Sequence, residues 1–221
     1  MDRNFNSMYC YTIYTSILKI NETYQEIKFP TTGIYKEKGN KFISFAFPVF
    51  YKKDIEQKLI EVKKKEHSAR HYCYAYILEK DKSIQKMNDD GEPSSTAGKP
   101  ILGQINSNNL TNILIVVTRS FGGVKLGVSG LINAYKMAAF DAISKTKIIT
   151  QTVKNIYNIN FSYLETHNVM QIIKKNNLEI ISSDFKDRCQ LTFKVNITES
   201  DTIIKTLKNN YKLEITFIKT I

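Results

Sequence analysis

Seven of the nine glycines fall between residues 91 and 130, and none follows Gly130. Glycine gathers where the backbone must take a positive φ or pass close to another group, so this stretch carries geometric demands that the rest of the chain lacks. The asymmetry points to a first domain that bears a site and a plainer second one. A chain of 221 residues exceeds one typical domain of about 100–150 residues, which fits that division.

Strand and helix patterns interleave around the glycines. KFISFAFPV (Lys41 to Val49) alternates aromatic and polar positions as a strand does, and the stretch from Lys53 to Glu66 sets Ile55, Leu59, Ile60 and Val62 at helical spacing. CYAYIL (Cys73 to Leu78) reads as a second strand. Pro100 to Ile105 opens a short helix, ILIVVT (Ile113 to Thr118) is the continuous apolar run of a buried strand, and Leu131 to Ser144 is an amphipathic helix. The expected fold class is α+β, with a two-layer α/β sandwich first. After residue 150 the order is strand, helix, strand, strand, helix, strand, at Val153 to Phe161, Tyr163 to Lys175, Leu178 to Ser183, Cys189 to Val195, Glu199 to Asn209 and Leu213 to Ile218. That βαββαβ order is the ferredoxin-like arrangement, which hosts many functions, and no glycine-aromatic motif of the RNP type lies on its strands.

Thirty-two basic against 21 acidic residues leave a formal charge of +11. Such an excess suits phosphate-rich or anionic partners, and it equally suits a solvated lysine surface. Only four of the basic residues are Arg, at positions 3, 70, 119 and 188. Cys10, Cys73 and Cys189 are odd in number, lie far apart and form no C-x-x-C pair, so they suggest neither a disulfide framework nor a zinc knuckle and fit a reducing cytosol. No uncharged apolar run reaches the roughly 18 residues of a spanning helix, so no membrane association is expected. The start lacks the compact apolar centre of a signal peptide, and Met8 is a second candidate start.

Candidate chemistry concentrates in two segments. Asn88-Asp89-Asp90-Gly91-Glu92-Pro93 puts three carboxylates within four residues, a repulsive arrangement unless a cation, an Arg or backbone N–H groups neutralise it. An exposed acidic turn is the plainer alternative. Ser95 or Thr96 is placed to cap a helix starting near Gly98, which with Lys99 makes a small anion seat. The spacing Gly91-x6-Gly98-Lys99, with Pro100 where Ser or Thr would coordinate magnesium, excludes a P-loop. Arg119 to Gly130 links the apolar strand to the next helix through Gly122, Gly123, Gly127 and Gly130, with Arg119 and Lys125 nearby. That geometry suits phosphate or carboxylate, and tight turns alone also account for the glycines. Arg70 and His71 precede the CYAYIL strand; His67, four residues earlier, diverges as the helix ends, so no metal pair is expected. Arg70 and Arg119, among so many lysines, point to a need for a planar bidentate donor.

EHSARHYCYAYIL, NDDGEPSSTAGKPILGQ and IVVTRSFGGVKLGVSGLINAY, in that order and spacing, resemble the YigZ/IMPACT family from about Tyr24 onward. The resemblance implies a first domain over residues 24–150, similar to domain IV of elongation factor G and the second domain of a small-subunit ribosomal protein. It implies a ferredoxin-like domain over 151–221, preceded by a loosely ordered extension over 1–23. No settled enzymatic activity comes with the family, whose eukaryotic branch is tied to control of translation. The expectation is a cytoplasmic, non-enzymatic regulator binding RNA or the ribosome, with a translation-related protein as a further partner. No catalytic residue, metal or cofactor is assigned. The anion-binding residues are Arg70, His71, Asp89, Asp90, Gly91, Glu92, Thr96, Gly98, Lys99, Arg119, Gly122, Gly123, Lys125, Gly127 and Gly130. The alternative is a nucleotide-binding enzyme, a metal-assisted phosphohydrolase, using the Asp-Asp-Gly-Glu loop with Arg70, His71 and Arg119.

Overall fold

The computed structural model describes residues 22–186, 188–210 and 212–221, so the extension expected over 1–23 lies almost wholly outside the described residues. The chain forms two compact units, one over Tyr24–Gln151 and the other built on Thr152–Ile221.

The first unit contains β1 (Thr23–Ile27), β2 (Thr31–Glu37), β3 (Asn40–Pro48), α1 (Lys52–Lys65), β4 (His71–Leu78), β5 (Ile84–Asn88), α2 (Gly98–Ser107), β6 (Ile113–Ser120), α3 (Val128–Ser144) and β7 (Ile148–Thr152). β2 to β6 make a five-stranded sheet in the order β2-β3-β6-β4-β5, and β1 pairs with β7. Every pairing in the larger sheet is antiparallel. β6 lies at its centre because its residues are apolar on both faces. Ile113, Ile115 and Val117 pack with Phe42, Cys73, Ala75 and Ile77 against α2 and α3. Leu114 and Val116 pack with Ile43, Phe45, Tyr76 and Leu78 against Ile55 and Val62 of α1. The unit therefore has three layers, not the expected two: an uninterrupted apolar strand demands cover on both sides, and α1 supplies the second.

Local chemistry sets these helices in place. The Asp54 carboxylate accepts N–H bonds from Phe50 and Tyr51 at the start of α1, and Lys63, Lys64 and Lys65 end it, matching the sign of the helix dipole. Ala134, Ala138 and Ala142 let α3 lie close on the sheet, where Ser44 Oγ donates to the Ala138 carbonyl at 2.6 Å. α2 begins at Gly98, the start expected from the capping pattern and two residues ahead of the helical stretch read from Pro100.

The second unit runs β8 (Lys154–Ser162), a 3-10 turn (Tyr163–Glu165), α4 (Thr166–Lys175), β9 (Glu179–Phe185), β10 (Arg188–Asn196), α5 (Ile197–Lys208) and β11 (Glu214–Thr220). The antiparallel sheet has the order β11-β8-β10-β9. Ile159, Leu191 and Phe193 face Val169 and Ile173 of α4 and Ile203 and Leu207 of α5. The other face is polar: Gln190 Nε2 donates to Asn158 Oδ1, Asn158 Nδ2 to Thr192 Oγ1, and Lys154 and Lys194 both reach Glu179. β9 is an edge strand with all of its residues exposed. No helix among the described residues is long and apolar enough to cross a membrane.

Candidate functional site

β3, β6 and β4 align Phe42, Arg119 and His71 as neighbours across the sheet, on the face that carries α2 and α3. The apolar row of β6 thus ends in a guanidinium, and the core gives way to a polar end. Arg119 is 9% exposed. Its Nε and Nη2 donate to Asn40 Oδ1 at 3.3 and 3.0 Å, and its Nη1 donates to Glu92 Oε1 at 2.8 Å. The rings of Phe42 and Phe121 lie 5.7 and 5.9 Å from its guanidinium carbon. Glu92 Oε1 also accepts from Tyr135 Oη at 2.8 Å, and Cys73 Sγ lies 3.3 Å from the same hydroxyl. Burial pushes the Cys73 thiol up to about 12 and raises Tyr135 well above its ordinary value, with the Cys73 and Glu92 charges adding to the latter. Both groups are therefore protonated at neutral pH: the Tyr135 hydroxyl donates to Glu92, and the Cys73 thiol donates to the Asp89 carbonyl at 3.0 Å.

This network backs a cavity of about 350 Å³. Arg70, His71, Arg119 and Lys125 form its polar wall with Glu92; Pro93, Phe121, Leu126 and Leu131 form its apolar one. Of the residues singled out in the sequence, Arg70, His71, Glu92, Arg119 and Lys125 converge there. The His71 Nδ1 lies 2.8 Å from the Asp90 carbonyl oxygen. A carbonyl can only accept, so Nδ1 carries a proton and Nε2 is the ring nitrogen left for other partners.

The other candidates serve the scaffold. The Asp89 carboxylate accepts from the N–H groups of Ser95, Ala97 and Gly98 at 2.9, 3.0 and 2.8 Å. The expected anion seat at the start of α2 is thus filled by the chain's own carboxylate, and neither Ser95 nor Thr96 caps the helix. Thr96 Oγ1 donates instead to the Pro93 carbonyl, and Lys99 is exposed away from the cavity lining. The Asp90 carboxylate accepts from Tyr72 N–H at 2.7 Å. The three carboxylates turn to three different partners, and no group of three metal-ligating side chains occurs among the described residues. Of the carriers named for a metal-assisted phosphohydrolase, Arg70, His71, Glu92 and Arg119 line the cavity, and Asp89 and Asp90 do not.

Close packing explains two of the candidate glycines. A Cβ on Gly122 would stand 1.8 Å from the Gly39 carbonyl oxygen, so the β2–β3 turn and the loop after β6 cross as bare backbone. A Cβ on Gly98 would meet Asn88 backbone at 2.9 Å, where α2 starts against the end of β5. Gly127 immediately precedes α3 and Gly130 lies in its first turn, while Gly91 and Gly123 lie in loops; none of the four lines the cavity. Sequence reasoning missed Asn40, Tyr135 and the apolar wall. Phe121, Leu126, Leu131 and Tyr135 stand inside the glycine-rich motif, whereas nothing in Lys38-Gly39-Asn40 announces a guanidinium partner beyond its turn residues.

The family model of the Impact N-terminal domain matches residues 38–143, the stretch that supplies every cavity residue. The chain is 35% identical over 124 residues to the IMPACT family member YvyE of Bacillus subtilis, covering 56% of this chain and 57% of that protein. It is 29% identical over 162 residues to the IMPACT family member YigZ of Escherichia coli, covering 71% of this chain and 78% of the relative. Human Protein IMPACT is 32% identical over 96 residues, 41% of this chain and 29% of that protein. A crystal structure of a hypothetical protein shares the fold with a TM-score of 0.69 at 24% identity, over 90% of this chain and 98% of the other.

Proposed function

Because the chain belongs to the YigZ/IMPACT family, we propose that it is a non-enzymatic cytoplasmic regulator linked to translation, binding RNA or the ribosome through the cavity at the end of β6. The first unit is then the counterpart of elongation factor G domain IV and of the ribosomal-protein second domain. The second is a ferredoxin-like domain, a reading supported by the βαββαβ order with strands arranged β11-β8-β10-β9. The domain boundary falls near residue 150, and a translation-related protein is a further partner.

The observation that carries the reading is the state of Arg119. A guanidinium has five N–H groups, and Asn40 and Glu92 engage three of them. The planar fork is held in one orientation with donors to spare, which suits phosphate oxygens and lowers the ordering cost of binding. Arg70 and Lys125 add exposed positive charge at the rim and have no carboxylate partner among the described residues.

Titration of a fluorescent structured RNA tests this. Affinity falls steeply as salt rises, because bound counterions are displaced from the phosphates. Substituting exposed Arg70 and Lys125 together by Ala weakens binding and flattens the salt slope by about two contacts, with thermal stability unchanged. Absence of binding at low salt overturns the proposal.

A further inference from the structure

We infer that the cavity recognises the terminal phosphate monoester of a single nucleotide, whether a free nucleoside monophosphate or the phosphorylated end of an RNA strand. The inference rests on the anion-binding reading above and narrows it to one ligand chemistry. Three observations carry it.

The first is composition of the walls. Inorganic phosphate or an internal phosphodiester needs only the cationic side, yet four of the nine lining residues are apolar, with Phe121 49% exposed and Leu126 and Leu131 beside it. Phe121 presents a ring on which a base can stack, and stacking of this kind tolerates any base. The second is size. About 350 Å³ exceeds what a phosphate fills and lies at the small end of ligand pockets, the scale of one nucleotide.

The third is charge and proton matching. Arg119 is already paired with Glu92, so Arg70 and Lys125 supply two further positive charges, the complement of a dianionic monoester. His71 has Nδ1 committed to the Asp90 carbonyl, leaving Nε2 for the ligand. Around it stand Asp90 from the loop after β5, Glu92, Arg70 and Arg119 from β6. A phosphate monoester has a second ionisable oxygen that a phosphodiester lacks, so it can meet Nε2 either as a P–OH donor or as an acceptor, whereas a diester can only accept.

The test uses the full chain and short single-stranded oligoribonucleotides of one sequence carrying a 5′-phosphate, a 3′-phosphate or only hydroxyl ends, with AMP, adenosine and inorganic phosphate as competitors. At pH 7.5 a phosphorylated end binds at least about tenfold tighter than the hydroxyl form, and AMP competes where adenosine and inorganic phosphate do not. AMP binding without preference for a phosphorylated strand assigns the site to the free nucleotide; preference for a phosphorylated strand without AMP competition assigns it to the strand end. Phe121→Ala, at an exposed position, abolishes the advantage of AMP over inorganic phosphate. Equal binding of phosphorylated and hydroxyl strands, lost together on substituting Arg70 and Lys125, overturns end recognition while keeping the general anion reading. No binding of any strand overturns both, and inorganic phosphate competing as well as AMP overturns the nucleotide.

Discussion

Asn40 and Arg119 stand on neighbouring strands and meet through one oxygen: Asn40 Oδ1 accepts from both Nε and Nη2 of Arg119. The same amide turns its Nδ2 to the Val124 carbonyl at 2.8 Å, in the loop that carries Phe121 and Lys125. One uncharged side chain therefore orients the guanidinium and anchors the loop facing it.

Glu92 is the counter-charge that this arrangement cannot lose cheaply. The pair's side chains are 10% and 4% exposed, so Glu92→Ala strands a buried guanidinium and should cost about 3–5 kcal/mol. Glu92→Gln keeps an oxygen for Arg119 and Tyr135 and should cost clearly less. Urea unfolding of both variants measures the difference.

Two glycine substitutions should move stability in opposite directions. In Gly122→Ala the new methyl collides with Gly39 backbone, so the turn and the loop must part, at a cost of about 1–3 kcal/mol or more. Gly103 lies inside α2 with nothing within 4 Å of a built Cβ, so Gly103→Ala should stabilise by about 0.5–1 kcal/mol. Thermal melting reads both.

Asp89 and Ser95 exchange the roles that their positions suggest. Asp89→Ala frees three N–H groups at the start of α2 and should cost about 1–2 kcal/mol, whereas Ser95→Ala should fall within about 0.5 kcal/mol of the parent. Chemical denaturation of the two variants decides it.

Alkaline pH should unfold the first unit through Cys73 and Tyr135. Both titrate higher folded than unfolded, so the folded state holds protons that the unfolded chain releases. Their contribution is complete below the unfolded thiol value of about 8.5 and is lost as pH climbs towards the folded value of about 12 for Cys73. Urea midpoints should drop from about pH 9 upward, and more gently in Cys73→Ala. Iodoacetamide at pH 8 should leave Cys73 unmodified until denaturant is added, as peptide mapping by mass spectrometry would show.

The elements legible in the sequence were those with a strong apolar period: β3, α1, β4, β6 and α3 all lie within a few residues of their expected positions. β2 and β5 escaped notice because they are edge strands: in TTGIYKE only Gly33 is buried, and IQKMN is almost wholly exposed. The expectation of two layers failed because a run such as ILIVVT states that both faces are covered without stating by what. At the site, rare arginines beside glycine turns marked the right segments. The carboxylate loop misled because Asp89 answered by backbone N–H groups and Asp89 awaiting a ligand read identically in one dimension. Asn40 was invisible for a related reason: an asparagine after a glycine in a hairpin needs no guanidinium to justify it.

The unpaired outer side of β9 sets a limit on how this chain tolerates crowding with itself. Among the described residues nothing covers that backbone, and Ile180, Ile181 and Phe185 lie open along it. Glu179, Asp184 and Lys186 punctuate the segment with charge, which discourages strand-on-strand zippering between molecules. Neutralising those charges should therefore make this edge more prone to pair with the same edge of another molecule.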